Sequence, residues 1–291
     1  MKVSSEIKNL EIFIAGDYSG IEVRMLCQAS GDKLLTSQFN SGLDVHSLVG
    51  NKLTGWPVEK ILADKATRTK VKEFHFGIIY GLGPENGPKN LEAKGVKMTK
   101  AEFVKYQQNY FLNYGGVKIY IDKCHMDAER GFVETIFGFR RRIRKDDPTR
   151  GSYYKNQAVN SPIQGGAHQL VLIAMALLRL KPKTYDLLQT PVMEVHDELV
   201  FRTRFGTLPE ADLQLRHLLQ EGVPAYCKRE FGIVWRIPLV AETEGGFCRG
   251  SMVTYKDDPI PSIERFLIDW RKKHAEVASK PLEYLLSEIE I

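Results

Sequence analysis

Strand-like sequence appears early in this chain and again late, with a long helical stretch between, and that spacing limits what the chain can fold into. Leu10–Ala15 (LEIFIA) reads as a buried strand ending at Gly16-Asp17. The strand signals Val192–Val195 and Leu199–Thr203 stand far downstream and flank the polar turn His196-Asp197-Glu198. Between them, Ile21–Ala29 looks helical, and Asp44–Lys52 and Val58–Tyr80 read as helices, the second opening just after Pro57. Residues 81–98 are broken by glycines and prolines. Thr99, with Glu102 at the capping-box position, opens a helix to about Leu112, and another fills Val117–Arg130. Phe132–Ile136 reads as a strand leading into a basic run at Arg140–Lys145. Further on, residues 163–180 and Pro209–Phe231 read as helices and Ile237–Ala241 as a short strand. The economical architecture is α+β: a discontinuous antiparallel-sheet domain (1–43 and 151–252), an inserted helical domain (44–150) and a helical tail (253–291).

Composition narrows the class further. At 43% hydrophobic, 291 residues hold enough apolar side chain for a sizeable core, which excludes disorder as the dominant state. Apolar runs such as Leu170–Leu178 fall short of the ~20 residues of a membrane span. Residues 1–6 lack the apolar core of a signal peptide. Cys27, Cys124, Cys227 and Cys248 show no Cys-x-x-Cys spacing, so they read as reduced thiols of a cytoplasmic protein, neither a zinc site nor a disulfide framework. The net charge of +5 is compatible with nucleic acid without indicating it.

Three clusters carry chemistry. An Asp at the end of a buried strand either caps the helix that follows or projects over the sheet edge, and Asp17 is open to both readings. Val195-His196-Asp197-Glu198 crowds three ionisable groups into one tight turn, which reads either as an exposed polar hairpin or as a site. If the two strands are neighbours, Asp17 and Asp197 meet, and such a pair repels unless a cation lies between. Paired carboxylates are also the usual means of holding two magnesium ions about 3.5–4 Å apart for in-line phosphoryl transfer. The third cluster is Arg68, Lys72, Phe76 and Tyr80, spaced by four and so on one helical face. The cations suit triphosphate oxygens and the aromatics a stacked base, or else the aromatics are core and the cations solvated.

Taken together these stretches resemble the family A DNA polymerases, the bacterial DNA polymerase I type. Asp17–Arg24 is similar to their first motif, Arg68–Gly81 to the fingers helix, and Val195–Phe201 to the His-Asp-Glu motif. Asn160–Gly165 resembles a palm helix that touches template and primer, and Gly131–Thr135 with Phe137-Gly138 and Arg140–Arg142 is also similar. The order is kept from about Leu10 to Arg249. The resemblance implies a right-hand palm with inserted fingers, and DNA-templated addition of dNTPs to a primer 3′ end.

It also implies roles. Asp17 and Asp197, with the carbonyl of Tyr18, would bind two Mg2+ ions. Arg68 and Lys72 would grip the β and γ phosphates, Lys72 also protonating the leaving pyrophosphate, and His46 is a further phosphate candidate or an ordinary helix histidine. Glu22 would exclude a 2′-hydroxyl, Tyr80 would close that pocket, and Phe76 would stand where the family discriminates against dideoxynucleotides. Asn160 and Gln164 would touch the minor groove, Arg140, Arg141 and Arg142 the phosphates, and His196 the DNA. Three departures stand out: Gly20 for the usual Gln, His75 for Asn and Asn156 for a common Arg. A single-subunit RNA polymerase relative and a non-catalytic DNA-binding scaffold are the alternatives. Glu22 and the wording of His75–Gly81 argue against the first, and the intact Asp17, Asp197, Arg68 and Lys72 against the second.

Family members carry a thumb and the front of the palm before the first motif, for which 16 residues leave too little room. The chain is then an excised core, or a second protein chain supplies thumb and remaining palm. Met1 and a distinctive tail favour the second. In the tail, Ile263, Phe266, Leu267 and Trp270 form one apolar stripe and Leu282, Leu285, Leu286 and Ile289 another, each fit either to pack on this chain or to dock on a partner.

Overall fold

The computed structural model describes residues 5–144, 153–188, 191–256 and 258–274. In chain order the elements are α1 (Ser5–Lys8), β1 (Glu11–Tyr18), α2 (Ile21–Ser30), α3 (Lys33–Asn40), α4 (Val45–Thr54), α5 (Val58–Ala63), α6 (Lys65–Ile79), α7 (Gly87–Ala93), α8 (Lys100–Asn113), α9 (Gly115–Glu129), β2 (Phe132–Glu134), β3 (Arg140–Arg142), α10 (Tyr153–Leu180), β4 (Met193–Val195), β5 (Glu198–Arg204), α11 (Leu208–His217), α12 (Val223–Phe231), β6 (Ala241–Gly246), β7 (Val253–Tyr255) and α13 (Ile263–His274). They form two compact units, one of residues 1–19, 168–234 and 239–291, the other of 20–167 and 235–238. Helices α2 and α3 therefore group with the helical unit.

The first unit is built on an antiparallel sheet in the order β4-β5-β1-β6-β7. β1 runs past the expected end at Gly16-Asp17 to Tyr18, because both neighbours continue to pair with it: Asp17 opposes Glu198 on one side and Glu242 on the other. Gly16 lets helix side chains come close to the sheet, since a Cβ there would lie 2.9 Å from Leu219 and 3.0 Å from Leu215 side-chain atoms, which would have to shift. The strand expected at Ile237–Ala241 is displaced to Ala241–Gly246. Pro238 has no N–H to give a ladder, whereas Ala241-Glu242-Thr243-Glu244 alternates buried with half-buried positions at the strand period.

Ile263, Phe266, Leu267 and Trp270 are all buried within their own unit, so this stripe is not available to a partner. Phe266 and Trp270 pack against Phe247, and each such burial contributes roughly 1.5–3 kcal/mol. The polar tie is a buried ion pair. Arg216 binds Asp212 and donates to the Thr243 hydroxyl and to the carbonyls of Tyr255 and Asp258, while Asp212 accepts from the Ile260 amide. The second stripe, 282–289, lies outside the described residues.

In the helical unit the expected helix over Val58–Tyr80 is two. Asp64 ends α5 and caps α6, accepting from the amides of Ala66 and Thr67. The expected capping box of Thr99 and Glu102 is present on α8. α10 begins ten residues earlier than the apolar periodicity suggests and carries Pro162 within it. By length and composition alone it is apolar enough to cross a membrane. Its apolar face is buried in protein, however: Ala158, Val159 and Ile163 in this unit, Leu170, Val171 and Ala174 in the other.

Candidate active site

In the sheet unit, strand pairing brings together two carboxylates that lie 197 − 17 = 180 positions apart in the sequence. β1 carries Asp17 to one end of the sheet, and the β4–β5 hairpin delivers Asp197 beside it, since Asp17 is directly opposite Glu198. Asp17 does not cap α2: the N-cap is Gly20, at φ 60°, with no side-chain cap. That left-handed position gives the departure at Gly20 a physical reason, because only glycine takes it without strain. His196, at φ 59°, is the one non-glycine with positive φ among the described residues. A two-residue hairpin demands such a conformation at its tip, and strain of this kind concentrates where a turn must aim a functional group.

The Asp17 and Asp197 carboxyls are close enough to share a hydrogen bond. Desolvation of its carboxyl, then repulsion by Asp197 and Glu198, pushes the pKa of Asp17 up to about 7, although the residue as a whole is exposed. Asp197 is also raised, by burial. A cation between them reverses the repulsive part of that cost. Among the described residues no three His, Cys, Asp or Glu side chains converge on a metal position, so this is a pair and not a closed cage. Magnesium commonly takes one or two carboxylates and leaves its other positions to water and substrate phosphates, so the donor set fits. Tyr18 turns its side chain into the core, where the hydroxyl donates to the Leu219 carbonyl at 3.0 Å. Only its backbone carbonyl is left for a metal.

A groove of about 1120 Å³ lies elsewhere on this unit, lined by Asn9, Glu11, Asp186, Arg202 and Arg204. Glu11 is six residues along β1 from Asp17, roughly 20 Å, so the groove is separate from the carboxylates.

In the helical unit, Glu22 stands in the first turn of α2 and Tyr80 at the C-cap of α6. The Tyr80 hydroxyl donates to Glu22, and Gln164 Nε2 approaches the same carboxylate at 3.4 Å. Burial and then this hydrogen bond raise the Tyr80 pKa, so the phenol stays protonated. Gly81 follows, at φ +69°, and a Cβ there would lie 3.0 Å from Asn156 Oδ1. The departure at Asn156 is thus packed against a turn that requires glycine.

Arg68 is not free. Its Nε and Nη2 donate to Asp44 at 3.1 and 2.7 Å, and Asp44 also caps α4 through the Ser47 amide. Burial works against charge on Asp44, but the hydrogen bonds from Arg68 and Ser47 outweigh it and hold the carboxyl down at about 2. Lys72 is exposed, with Nζ 5.9 Å from the centroid of half-buried Phe76. His46 is buried against Phe76 and His75, and burial, then nearby Lys72 and Arg68, push its pKa down to about 4 despite Asp44. It is a neutral imidazole, able to donate a hydrogen bond but bringing no charge to a phosphate. His75 is core: its Nε2 lies 2.9 Å from the Tyr110 hydroxyl.

Arg140, Arg141 and Arg142 project from β3 as exposed side chains, with Arg140 paired to Glu134 at 2.6 Å and stacked over Phe132. Arg141 and Gln164 line one small cavity of about 100 Å³ with Phe139 and Ser161, joining two of the expected DNA contacts. Asn160 lies one turn before Gln164 on α10 and is half-buried. Sequence reasoning missed Asp44 as the partner of Arg68, and Glu242, Glu244 and Arg249 beside the carboxylate pair. The Glu-x-Glu alternation was a usable signal for the glutamates. Nothing local marks Arg249.

The family model described as DNA polymerase family A matches residues 3–246. DNA polymerase I of Caldicellulosiruptor bescii is 31% identical over 81% of this chain, and that of Chloroflexus aurantiacus is 34% identical over 77%. The aligned regions are 26% and 24% of those proteins, so the chain spans about a quarter of their length. The fold is similar to the POL domain of Pol1 from M. smegmatis, solved in complex with DNA primer-template and dNTP, with a TM-score of 0.68 and 25% identity over 81% of this chain and 39% of that one. Family match, relatives and fold agree with the ordered motifs, and the chain belongs to DNA polymerase family A.

Proposed function

We propose that this chain carries the palm and fingers functions of a DNA-templated DNA polymerase, adding dNTPs to a primer 3′ end. The observation that carries the reading is the meeting of Asp17 and Asp197 through strand pairing, with the proton affinity of both raised by burial and that of Asp17 raised further by Asp197 and Glu198. When bound there, two Mg2+ ions would lower the pKa of the primer hydroxyl and neutralise charge developing on the phosphates.

The remaining roles belong to the chain's own side chains. Lys72 is free to approach a triphosphate and to hold a proton for the departing pyrophosphate. Arg68 grips phosphate by exchanging its Asp44 partner for phosphate oxygens, each group offering two oxygens to the guanidinium fork. His46 adds at most a neutral hydrogen bond. Glu22, held by Tyr80, excludes the 2′-hydroxyl. Asn160 and Gln164 check pair shape in the minor groove, where acceptors recur in every correct pair. Arg140, Arg141 and Arg142 contact phosphates, and His196 contacts DNA from the hairpin tip. This reading assigns the thumb and remaining palm to a second protein chain. With α13 buried, any docking by the tail falls to residues 282–289.

Magnesium-dependent primer extension by the purified chain, alone and with candidate partner chains, tests the proposal. Incorporation of dNTPs and not rNTPs supports it. A preference for rNTPs points to an RNA polymerase relative, and DNA binding without extension in every combination points to a scaffold.

A further inference from the structure

Five carboxylates gather at one end of the sheet. Asp17 stands opposite Glu198 and Glu242, Glu244 is two residues along the same face of β6, and Asp197 lies in the adjoining turn. Among the described residues, the ion pairs made by these five all come from Arg249. Its guanidinium engages both carboxylate oxygens of Glu198, with Nη1 2.7 Å from Oε1 and Nη2 on Oε2. Nη1 also lies 2.8 Å from Glu244 Oε1. Arg249 stands just beyond residues 3–246, the part that the family model matches.

Residues opposite one another on antiparallel strands have Cβ atoms about 4.5–5.5 Å apart, so the Glu198 carboxylate is within side-chain reach of any cation held by Asp17. A third carboxylate there would fill coordination positions that primer and triphosphate oxygens need. A two-pronged guanidinium contact fixes both oxygens of Glu198 in one orientation, which a lysine does not do. We propose that Arg249 is a positioning residue that holds Glu198 off the Asp17–Asp197 pair and keeps that pair open to substrate. The inference rests on the reading of Asp17 and Asp197 as metal ligands.

Mn2+ binding to the full chain, followed by the loss of the free-ion electron paramagnetic resonance signal without DNA or nucleotide, tests it. Arg249→Ala should bind Mn2+ about 3–10-fold more tightly, the effect of one uncovered carboxylate near a cation at the sheet surface. Arg249→Lys should tighten binding less. Adding Glu198→Gln to Arg249→Ala should restore the wild-type affinity, whereas adding Glu244→Gln, which changes the net charge equally, should not. In single-nucleotide incorporation, Arg249→Ala should lower kcat with little change in KM for dNTP. Unchanged Mn2+ affinity in Arg249→Ala, or equal restoration by both double variants, overturns the proposal. Asp17→Ala and Asp197→Ala separate the two levels: if neither weakens Mn2+ binding the metal reading itself fails, and if they do while Arg249→Ala has no effect, only the role of Arg249 fails.

Discussion

The Tyr80 hydroxyl lies 2.8 Å from both carboxylate oxygens of Glu22, tying the end of the fingers helix to the first turn of α2. A glutamate used as a steric gate is only as selective as its side chain is immobile, and this contact restrains it. Glu22→Ala should reduce discrimination against ribonucleotides on the order of 100-fold, the scale of a lost steric exclusion. Tyr80→Phe keeps the ring but removes this restraint, leaving the carboxylate only the longer Gln164 approach. It should cost roughly tenfold, in line with a hydrogen bond to a charged group. Incorporation of matched dNTP and rNTP by each variant measures both, and unaltered discrimination in Glu22→Ala would place the gate elsewhere.

Asp44 and Arg68 predict a competition. Asp44→Asn preserves an N-cap of equal quality on α4 but removes the ion pair. If triphosphate displaces Asp44 from Arg68, this variant should lower the KM for dNTP about 2–5-fold, the worth of a half-exposed ion pair. Arg68→Ala and Lys72→Ala should raise KM or slow chemistry with DNA affinity little changed. Steady-state kinetics beside a DNA-binding titration checks this. Loss of DNA affinity without altered nucleotide dependence contradicts it.

The raised pKa of Asp17 sets a pH dependence for the metal-free chain. Its folded value of about 7 exceeds the unperturbed 3.8, so the folded state holds the proton more tightly than the unfolded chain. Stability from this group is therefore greatest at the acid end and declines as pH rises from about 4 to about 7. Asp17→Asn should flatten that decline and stabilise the metal-free chain at neutral pH by on the order of 1 kcal/mol, after allowing for solvent screening of an exposed group. Thermal melts across that pH window decide the matter. The same variant should be inactive, the usual exchange of stability for function at a charged site.

The buried tie to the tail should be costly to break. Arg216→Ala leaves Asp212 charged and buried without its partner, which should destabilise the sheet unit by about 3–5 kcal/mol. Trp270→Ala should cost a similar 3–5 kcal/mol through the cavity it leaves. Denaturant unfolding measures both. A chain ending before Ile263 that keeps full stability would contradict the packing of α13 on this unit.

Sequence revealed what local rules govern. The capping box at Thr99, the hairpin around Asp197 and the strand entering Asp17 were all legible, because each is a short pattern with its own physical cause. The joining of Asp17 to Asp197 was legible only as a condition, since strand adjacency is a property of the whole sheet. The alternation of sheet and helical sequence, with the ordered motifs, indicated the α+β palm with inserted fingers. Asp44 with Arg68 and Arg249 with Glu198 were not legible, because each pair joins segments with no shared periodicity. The strand after Pro238 was misplaced because hydrophobicity at Ile237–Ala241 outweighed the missing proline donor. The first tail stripe left own-core packing and docking open, since a helical stripe does not name its partner. Burial of Trp270 decides for the chain's own core.

The central claim is that Asp17 and Asp197 together support metal-dependent nucleotidyl transfer. Its most direct test is single-nucleotide primer extension as a function of Mg2+ concentration by the full chain and by Asp17→Ala and Asp197→Ala, with primer–template affinity measured in parallel. The account predicts Mg2+-dependent extension by the unaltered chain, a rate at least about 1000-fold lower in each variant, as expected when a group acting only in the transition state is removed, and DNA affinity within about threefold of wild type. Extension by either variant at a rate near that of the unaltered chain would contradict it.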